Sequence, residues 1–337
     1  MRAVGLTRSL PVDDPACLED LDRPAPEPGP LDLVVRVAAT SVNPVDAKQR
    51  MRAGSAGPPA EPVVLGYDAV GKVEAMGGEV SGFAVGDRVW YAGDIGRPGA
   101  NAELQAVDHR IVARAPARLD DADAAVLPLT GLTAWEGLFD RLRVAEGGGA
   151  GRSLLIIGGA GGVGSIAIQI ARRLTDLTVI ATASRSETQA WCRELGAHDV
   201  VDHRDLVASC GAAGHTSVDL IFNAADTDAH WDAMVELIAP QGSICAIVGT
   251  RKPVDIAPLH RKSASFAWEL MFTRPVFATP DIGRQGEILA GLADLVDAGT
   301  LVTTRRETLE GLTAATLRDA HARIESGRTI GKIAVVY

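Results

Sequence analysis

The chain has 337 residues, 47% of them hydrophobic, and a formal net charge of −10 at pH 7. That length suits two domains with substantial cores, and lysines and arginines scattered through an acidic chain argue against a nucleic-acid partner. No apolar run reaches membrane-spanning length, the N-terminus lacks the apolar core of a signal peptide, and the four cysteines form no CxxC pair. We therefore expect a cytoplasmic protein with reduced thiols and no membrane partner.

The first 120 residues are predicted to be rich in strands. Glycine, proline and aspartate turn signals separate apolar runs at 31–38, 63–71, 73–76 and 88–92. A helical pattern follows over 120–138.

From residue 153 onwards, short apolar runs alternate with helical stretches. The predicted strands are 154–157, 178–183, 199–201, 220–223 and 243–248, and the predicted helices include 165–174, 186–195 and 229–238. This alternation indicates βαβ units and a doubly wound parallel sheet in an α/β fold. After residue 249 we expect helices at 285–298 and 314–326 and a closing strand at 332–336. A cofactor domain, 124–277, is thus inserted between two pieces of another domain, 1–123 and 278–337.

The segment LLIIGGAGGVG (154–164) predicts a dinucleotide site, because an apolar strand runs into glycines and then into a helix. Gly159 is expected to make the tight turn, Gly161 to let the pyrophosphate approach the backbone, and Gly164 to let the helix pack close to the strand. The helix N-terminus offers free N–H groups to the phosphates. A purely structural glycine turn is the alternative. The predicted contacts are Gly159, Ala160, Gly161, Gly162, Val163 and Gly164.

The end of the next strand favours NADP over NAD. An NAD-specific fold carries a carboxylate about 20 positions past the last glycine, where this chain has Ser184 followed by Arg185. Arg185 can fork two N–H groups to a 2′-phosphate, and Ser184 can donate another. The alternative is that Arg185 is an ordinary surface residue.

Several further motifs together resemble the medium-chain dehydrogenase/reductase superfamily over essentially the whole chain. They are SVNPVD (41–46), LGYDAVGKV (65–73), GDRV (86–89), PLTGLTAW (128–135), ELGA (194–197) and ESGRTIGKIAVV (325–336). Within it the chain is most similar to the zinc-free quinone oxidoreductases, closest to a branch often labelled zinc-type alcohol dehydrogenase-like. The resemblance implies a GroES-like, partly open β-barrel catalytic domain, a Rossmann domain and a cleft between them.

The zinc ligands of the related alcohol dehydrogenases have no counterparts here. The segment expected to supply a cysteine holds Ser41, Asn43 and Asp46, the histidine position holds Tyr67, and 128–131 reads Pro-Leu-Thr-Gly. Catalytic zinc needs three protein ligands, so we expect no metal. Without a Lewis acid, alcohol oxidation is disfavoured, whereas hydride delivery to an already electrophilic carbon remains feasible.

The resemblance also assigns residues to the cleft. Asn43 either donates to a substrate carbonyl or is a turn residue. Lys48 replaces a frequent tyrosine, and it either donates a proton to the substrate or is solvated. Tyr67 either contacts the substrate or packs in the barrel. Phe272 and Thr273 are expected to form part of the wall of the site. The positions expected beside the cofactor are Thr130, His203, Val248, Gly249, Phe272, Thr273 and Lys332.

The sequence therefore predicts an NADPH-dependent reductase of quinones or similar conjugated carbonyl compounds. A reductase of C=C bonds conjugated to a carbonyl is the alternative enzyme, and an NADPH-binding sensor without turnover is the alternative of another class. In similar proteins the strand corresponding to 263–268 pairs across a two-fold axis, so we expect a homodimer.

Overall fold

The computed structural model describes residues 1–53 and 59–337. The chain folds into two compact units, one made of Met1–Leu129 with Phe272–Tyr337 and the other of Thr130–Met271. The sequence-based boundaries were 123/124 and 277/278. None of the helices among the described residues combines the length and the apolar character needed to cross a membrane.

The N-terminal segment of the first unit is mostly strand. Its strands are β1 (Arg2–Leu6), β2 (Glu19–Asp22), β3 (Asp32–Ser41), β4 (Val63–Val64), β5 (Ala69–Met76), β6 (Arg88–Tyr91), β7 (Leu104–Asp108) and β8 (Ala113–Arg114). Its helices are α1 (Pro44–Arg52), α2 (Asp121–Ala125) and α3 (Pro128–Trp135), with 3₁₀ turns at Pro15–Cys17 and His109–Ile111. The boundary between the two units falls inside α3.

The second unit alternates strands with helices. A π-helical segment, Glu136–Arg141, continues α3. The strands are β9 (Ser153–Ile157), β10 (Thr178–Thr182), β11 (Asp199–Val201), β12 (Val218–Asn223), β13 (Ile238–Ala246) and β14 (Ser265–Trp268). The helices are α4 (Gly162–Leu174), α5 (Ser186–Glu194), α6 (Leu206–Ala212), α7 (Thr227–Leu237) and α8 (Ala257–Arg261), with a 3₁₀ turn at His203–Asp205.

The C-terminal segment returns to the first unit. It holds α9 (Thr273–Val276), α10 (Arg284–Asp297), β15 (Arg305–Glu310), α11 (Ala314–Glu325) and β16 (Lys332–Val336).

Sheet topology confirms the two expected folds. Within the described residues of the first unit, β15-β16-β3-β5-β6-β8 form one sheet in that order and β7 also pairs with β3. All of these pairs are antiparallel except β15 with β16, as the GroES-like barrel requires. In the second unit the order is β11-β10-β9-β12-β13-β14, and every pair is parallel. The order reverses between β9 and β12, which is the switch point where ligands bind in such sheets.

The second unit encloses an apolar core. Leu155, Ile180, Ile221 and Ile244, one from each of four central strands, are fully buried, and Trp231 of α7 packs in the same cluster. Strands buried on both faces read as continuous apolar runs, which is why the runs at 154–157 and 178–183 were visible in the sequence.

One strand prediction was wrong. Two strands were expected at 63–71 and 73–76, but β4 pairs with β1 in a separate three-stranded sheet, and the chain enters the larger sheet as a single β5 at Ala69. Gly66 has φ +109, a conformation that interrupts a strand and that a hydrophobicity pattern does not reveal.

Candidate functional site

A buried polar cluster forms where β3, β5 and β16 of the first unit meet. Ser41 ends β3 and pairs with β16, while Asp68 directly precedes β5. Asn43 is the N-cap of α1 and Lys332 is the first residue of β16. Because these positions are the ends of hydrogen-bonded strands, the sheet register brings residues from opposite ends of the chain together.

The ammonium group of Lys332 lies inside this cluster with acceptors for its three N–H groups. Its Nζ is 3.0 Å from the carbonyl oxygen of Val42, 2.5 Å from Oδ1 of Asn43 and 3.2 Å from Oδ2 of Asp68. Lys332 is 2% exposed. An ammonium with three donors is satisfied by three acceptors, so the first unit itself supplies a full set of partners for Lys332, and its contact with a cofactor stays a prediction.

Asp68 is the acceptor at the centre of the cluster. Its carboxylate receives the hydroxyl of Ser41 at 2.5 Å, the amide of Asn43 at 2.8 Å and the backbone N–H of Leu129 at 2.7 Å. Burial raises the pKa of Asp68, and the charge of Lys332 opposes that shift. Burial likewise lowers the pKa of Lys332, against the charge of Asp68. The pair thus depends on its hydrogen bonds to stay charged.

Asn43 has its amide engaged in the same cluster. Besides Asp68, its Nδ2 donates to the carbonyl oxygen of Tyr67 at 3.0 Å, and its Oδ1 accepts from Lys332. Asn43 is 1% exposed. Its role in this arrangement is to fix the segment that carries Tyr67.

Asp46 ties the start of α1 to the segment before Tyr67. Its carboxylate accepts the backbone N–H of Asn43 at 2.8 Å and that of Gly66 at 3.0 Å. The first of these bonds caps the helix N-terminus, which begins at Pro44. Burial, only partly offset by these N–H donors, raises the pKa of Asp46 to about 7.

Tyr67 is buried and Lys48 is exposed. The Tyr67 ring is buried and meets Phe272 edge-on, with centroids 5.4 Å apart. Burial, with the charges of Asp46 and Asp94, raises the pKa of the Tyr67 phenol, so it stays a proton donor. Lys48 is exposed on α1. Thr273 follows Phe272 as the first residue of α9.

The residues present do not fit a catalytic zinc ion. Tyr67 and Asn43 offer neither thiolate nor imidazole, and the carboxylates of Asp46 and Asp68 are already bonded to N–H and O–H donors. Within 1–53 and 59–337, no group of three or more His, Cys, Asp or Glu side chains is arranged to hold a metal. The ammonium of Lys332 supplies the positive charge that Asp68 needs.

The glycine turn of the second unit joins β9 to α4. Gly158 has φ +85, so the left-handed turn residue is Gly158 rather than Gly159. A Cβ on Gly159 would lie 2.8 Å from that of Ala181, and one on Gly164 would lie 2.2 Å from the carbonyl oxygen of Gly158. Gly164 therefore has the packing role expected of it.

Gly161 differs from its neighbours because the space beside it is open. A Cβ there would come no closer than 3.5 Å to the carbonyl oxygen of Gly158. Gly161 caps α4, whose first turn is Gly162, Val163 and Gly164, and Ala160 lies just before the cap. The N–H groups of a first helical turn have no partners inside the helix, so this turn can hold an anionic pyrophosphate at the switch point of the sheet.

Ser184 and Arg185 follow β10 on the same edge of the sheet. Arg185 caps α5, and its Nη1 lies 3.0 Å from Oε1 of Glu187, which is 61% exposed. Exposed pairs of this kind are weak, about 0–1 kcal/mol, so a doubly charged phosphate can displace Glu187. Sequence reasoning had missed this competing carboxylate.

His203 follows β11, and Val248 with Gly249 follows β13; both strands end at that carboxyl edge, with β10, β9 and β12 between them. The ring of His203, which begins the 3₁₀ turn after β11, lies 6.1 Å from that of His230. The carbonyl oxygen of Val248 accepts the hydroxyl of Thr227 at 2.5 Å. Thr130 lies buried in α3.

A buried acidic pair in the second unit was also missed. Glu269 follows β14 and lies 2.7 Å from Nε of Arg141 in the π-helical segment, which also carries Glu136. Glu136 and Glu269 are 1% and 2% exposed. Burial and the proximity of Glu136 raise the pKa of Glu269, against the opposing charge of Arg141. A charged residue between apolar neighbours, as in SFAWELMF, is the only sequence signal for it.

A GroES-like barrel combined with a doubly wound parallel sheet and a glycine turn defines a two-domain oxidoreductase. Two family models match, one described as an alcohol dehydrogenase GroES-like domain over residues 29–117 and one as a zinc-binding dehydrogenase over residues 195–335. The chain is 41% identical over 339 residues to a zinc-type alcohol dehydrogenase-like protein of Staphylococcus aureus, covering 99% of both chains. It belongs to the medium-chain dehydrogenase/reductase superfamily.

Solved structures agree with this membership. A protein of Rhizobium etli provisionally called a zinc-dependent alcohol dehydrogenase is 50% identical with a TM-score of 0.94, over 100% of this chain and 98% of that one. The quinone oxidoreductase of Coxiella burnetii and a mycobacterial protein in complex with NADPH are each 26% identical with TM-scores of 0.83, over 100% of this chain and 99% and 100% of theirs. The NADPH-dependent alkenal/one oxidoreductase of Arabidopsis thaliana is 33% identical over 66% of this chain and 56% of its own.

Proposed function

We propose that this protein is an NADP(H)-dependent, zinc-independent reductase that delivers hydride to a quinone or a similar electron-poor conjugated carbonyl compound. The observation that carries the proposal is the Lys332–Asp68–Asn43 cluster, in which the carboxylate of Asp68 and the amide of Asn43, beside the positions of the lost zinc ligands, are engaged in internal bonds. A site without a Lewis acid suits substrates whose acceptor carbon is already electrophilic.

The residues present fit an NADP(H) cofactor, which when bound supplies the hydride. The first-turn N–H groups of α4 would hold its pyrophosphate, and Arg185 with Ser184 would hold the 2′-phosphate. The remaining proposed contacts of the cofactor are the backbone N–H and C=O groups around Val248 and Gly249, together with Thr130, His203, Phe272 and Thr273. The NADPH complex of the mycobacterial protein supports this assignment.

On the substrate side, the protonated phenol of Tyr67 is the better proposed donor to the carbonyl oxygen. Its ring is buried beside that of Phe272, and its hydroxyl can donate a hydrogen bond. Lys48 is the second candidate, since an exposed ammonium on α1 can reach a substrate only from the solvent side. Asn43 contributes by positioning Tyr67, because its amide donates to the Tyr67 carbonyl oxygen.

A second candidate reaction is reduction of a C=C bond conjugated to a carbonyl. The similarity to the alkenal/one oxidoreductase favours it. Both reactions place hydride on an electron-poor carbon, but C=C reduction also needs a proton at the neighbouring carbon.

The test is a side-by-side rate assay with the full chain. NADPH oxidation is followed with 1,4-benzoquinone, with but-3-en-2-one and with no acceptor, each before and after EDTA treatment. We expect quinone turnover that survives chelation and is faster than enone turnover. Faster enone turnover would favour the second candidate, and NADPH binding without turnover would leave the protein as a binding protein only. Loss of activity with zinc removal would contradict the proposal.

We also propose a homodimer formed through β14. This strand is one of the two edge strands of the parallel sheet; Trp268, its last residue, is 46% exposed and Leu270, just after it, is 52% exposed. Apolar edge strands are normally covered. Light scattering at micromolar concentration should give twice the chain mass, and Trp268→Glu should give the monomer.

A further inference from the structure

The first unit contains a cavity of about 190 Å³, apart from the Lys332 cluster. Its wall comes from the loop after β6, from β7 with the 3₁₀ turn behind it, and from the region of α9. The lining residues that matter here are Asp94, Arg97, Gln105, Asp108, Arg110 and Ile282. At the volume that a water molecule occupies in the liquid, the cavity has room for about six waters or for one small organic molecule.

Gln105 lines this cavity and carries a buried acceptor. The residue is 4% exposed, and its Nε2 donates to the carbonyl oxygen of Pro98 at 3.0 Å. That bond fixes the orientation of the amide, since only the nitrogen can donate to a carbonyl. No donor among the residues that the structure describes lies within hydrogen-bonding distance of its Oε1. A buried carbonyl oxygen without a donor favours a ligand that brings one.

The charges around the cavity leave one carboxylate in excess. Arg97 binds Asp32 through two bonds of 2.8 and 2.7 Å, and Arg110 lies 2.6 Å from Asp108. Both guanidinium groups are therefore paired. Asp94 accepts the backbone N–H of Gly96 at 2.7 Å, and its carboxylate has no direct ion pair within the described residues. The groups left for a ligand are thus a carboxylate and an amide oxygen, which both require donors.

Part of the wall is apolar. Val107, Ile111, Pro275 and Ile282 contribute hydrocarbon surface, which suits an alkyl chain and offers no donor or acceptor side chain. Such a cavity suits a ligand that has a charged donor group for the acceptors and a short alkyl chain for the apolar part.

We propose that this cavity binds a primary ammonium group carried on a short alkyl chain, either as a small aliphatic amine or as the amine end of a larger molecule. The ammonium donates to Oε1 of Gln105 and to the carboxylate of Asp94, and the alkyl chain packs against Val107 and Ile282. An anion is disfavoured because the free groups are acceptors, and a neutral alcohol lacks the charge that Asp94 attracts.

The probe for the test is n-butylammonium chloride, titrated into the full chain and followed by ¹H–¹⁵N NMR. We expect saturable shifts confined to the amides of residues 94–111 and 275–282, with weaker binding of 1-butanol and none of butyrate. Asp94→Asn keeps an oxygen for the N–H of Gly96 but removes the charge, and it should weaken butylammonium up to about fivefold. Gln105→Leu should weaken it about tenfold.

The matched control is Asp232→Asn, which makes the same charge change at an exposed position of α7 and should leave binding unchanged. Urea unfolding of each variant separates binding from folding, since Gln105→Leu also loses its bond to Pro98. If Gln105→Leu does not fold, Asp94→Asn alone tests the proposal. The proposal is overturned if no saturable shifts appear, if 1-butanol binds as tightly as butylammonium, or if Asp94→Asn and Asp232→Asn behave alike.

Discussion

Lys332 Nζ lies 3.2 Å from Oδ2 of Asp68, and both side chains are buried. The two residues are 264 positions apart in the chain. Their ion pair therefore links the first residue of β16 to the residue that precedes β5. Taking two charges out of water is costly, and the cost is recovered only when the remaining donors and acceptors are satisfied. Ser41, Asn43 and Leu129 satisfy them here.

Removing one member of this pair should be strongly destabilising. Lys332→Met leaves Asp68 buried without its cation, and we expect the free energy of unfolding to fall by about 3–5 kcal/mol. Urea denaturation at pH 7 measures it. The double variant Lys332→Met/Asp68→Asn should recover part of the loss, because no uncompensated charge remains.

The control is Lys72→Met, an exposed lysine of β5, which should change stability by no more than about 0.5 kcal/mol. Equal effects of the two lysine variants would show that Lys332 has no special electrostatic role.

Two glycines of the α4 turn should respond differently to the same substitution. Gly164→Ala places a Cβ 2.2 Å from the carbonyl oxygen of Gly158, and such overpacking costs about 1–3 kcal/mol or more of stability. Gly161→Ala meets nothing closer than 3.5 Å and has φ −76, so the fold should be intact while NADPH binds more weakly. Thermal unfolding and cofactor titration separate the two effects; unaltered NADPH affinity in Gly161→Ala would place the phosphates elsewhere.

The parallel sheet was predictable because its strands are buried on both faces. The runs at 154–157 and 178–183 carry that signal, and the glycines after β9 mark the turn. The outer strands of the first unit were not predicted, because β2 reads Glu-Asp-Leu-Asp and β15 is mostly charged. Pairing with a neighbour, rather than an apolar pattern, makes these segments strands.

The candidate site was predicted in part. The turn containing Gly161 and Gly164 follows from local spacing, although the left-handed residue is Gly158. The network of Asp68 with Lys332 did not follow, since no local pattern links residues so far apart.

Arg185 should discriminate between the two nicotinamide cofactors. Arg185→Ala is expected to weaken NADPH by roughly 1.5–3 kcal/mol, the range for a hydrogen bond to a charged group, and to leave NADH nearly unchanged. Glu187→Gln should tighten NADPH slightly, because it releases Arg185 from its exposed ion pair. Fluorescence titration with both cofactors measures these differences.

Arg193→Ala, at an exposed position of the same helix, is the matched control and should affect neither cofactor. Equal losses for NADPH and NADH in Arg185→Ala would indicate a folding defect instead of lost phosphate recognition.

Glu269 should make stability fall as the pH rises. Its pKa is raised above the ordinary value of 4.5 by burial and by Glu136, so the folded state holds a proton that the unfolded state has released. Stability is then fully present below about pH 4.5 and declines towards the raised pKa, by up to about 1.4 kcal/mol per pH unit. Glu269→Gln mimics the protonated carboxyl and should flatten this decline between pH 5 and 9.

The measurement is the urea midpoint as a function of pH in both proteins. Glu194→Gln, at an exposed position of α5, should follow the wild-type curve. Parallel curves for wild type and Glu269→Gln would mean that Glu269 ionises normally.

Tyr67 should matter more to turnover than Lys48. The Tyr67 side chain is buried beside Phe272 at the position of the lost histidine ligand, whereas Lys48 is exposed on α1. Tyr67→Phe removes only the hydroxyl, and we expect turnover with 1,4-benzoquinone and but-3-en-2-one to fall by about 10²-fold or more, the lower range for a general acid, with NADPH affinity unchanged. Tyr91→Phe removes another buried hydroxyl from the same barrel and should leave turnover unchanged.

Lys48→Met should lower turnover far less than Tyr67→Phe. If instead Lys48→Met costs as much as Tyr67→Phe, and only with the enone, Lys48 is the proton donor and the protein is a double-bond reductase.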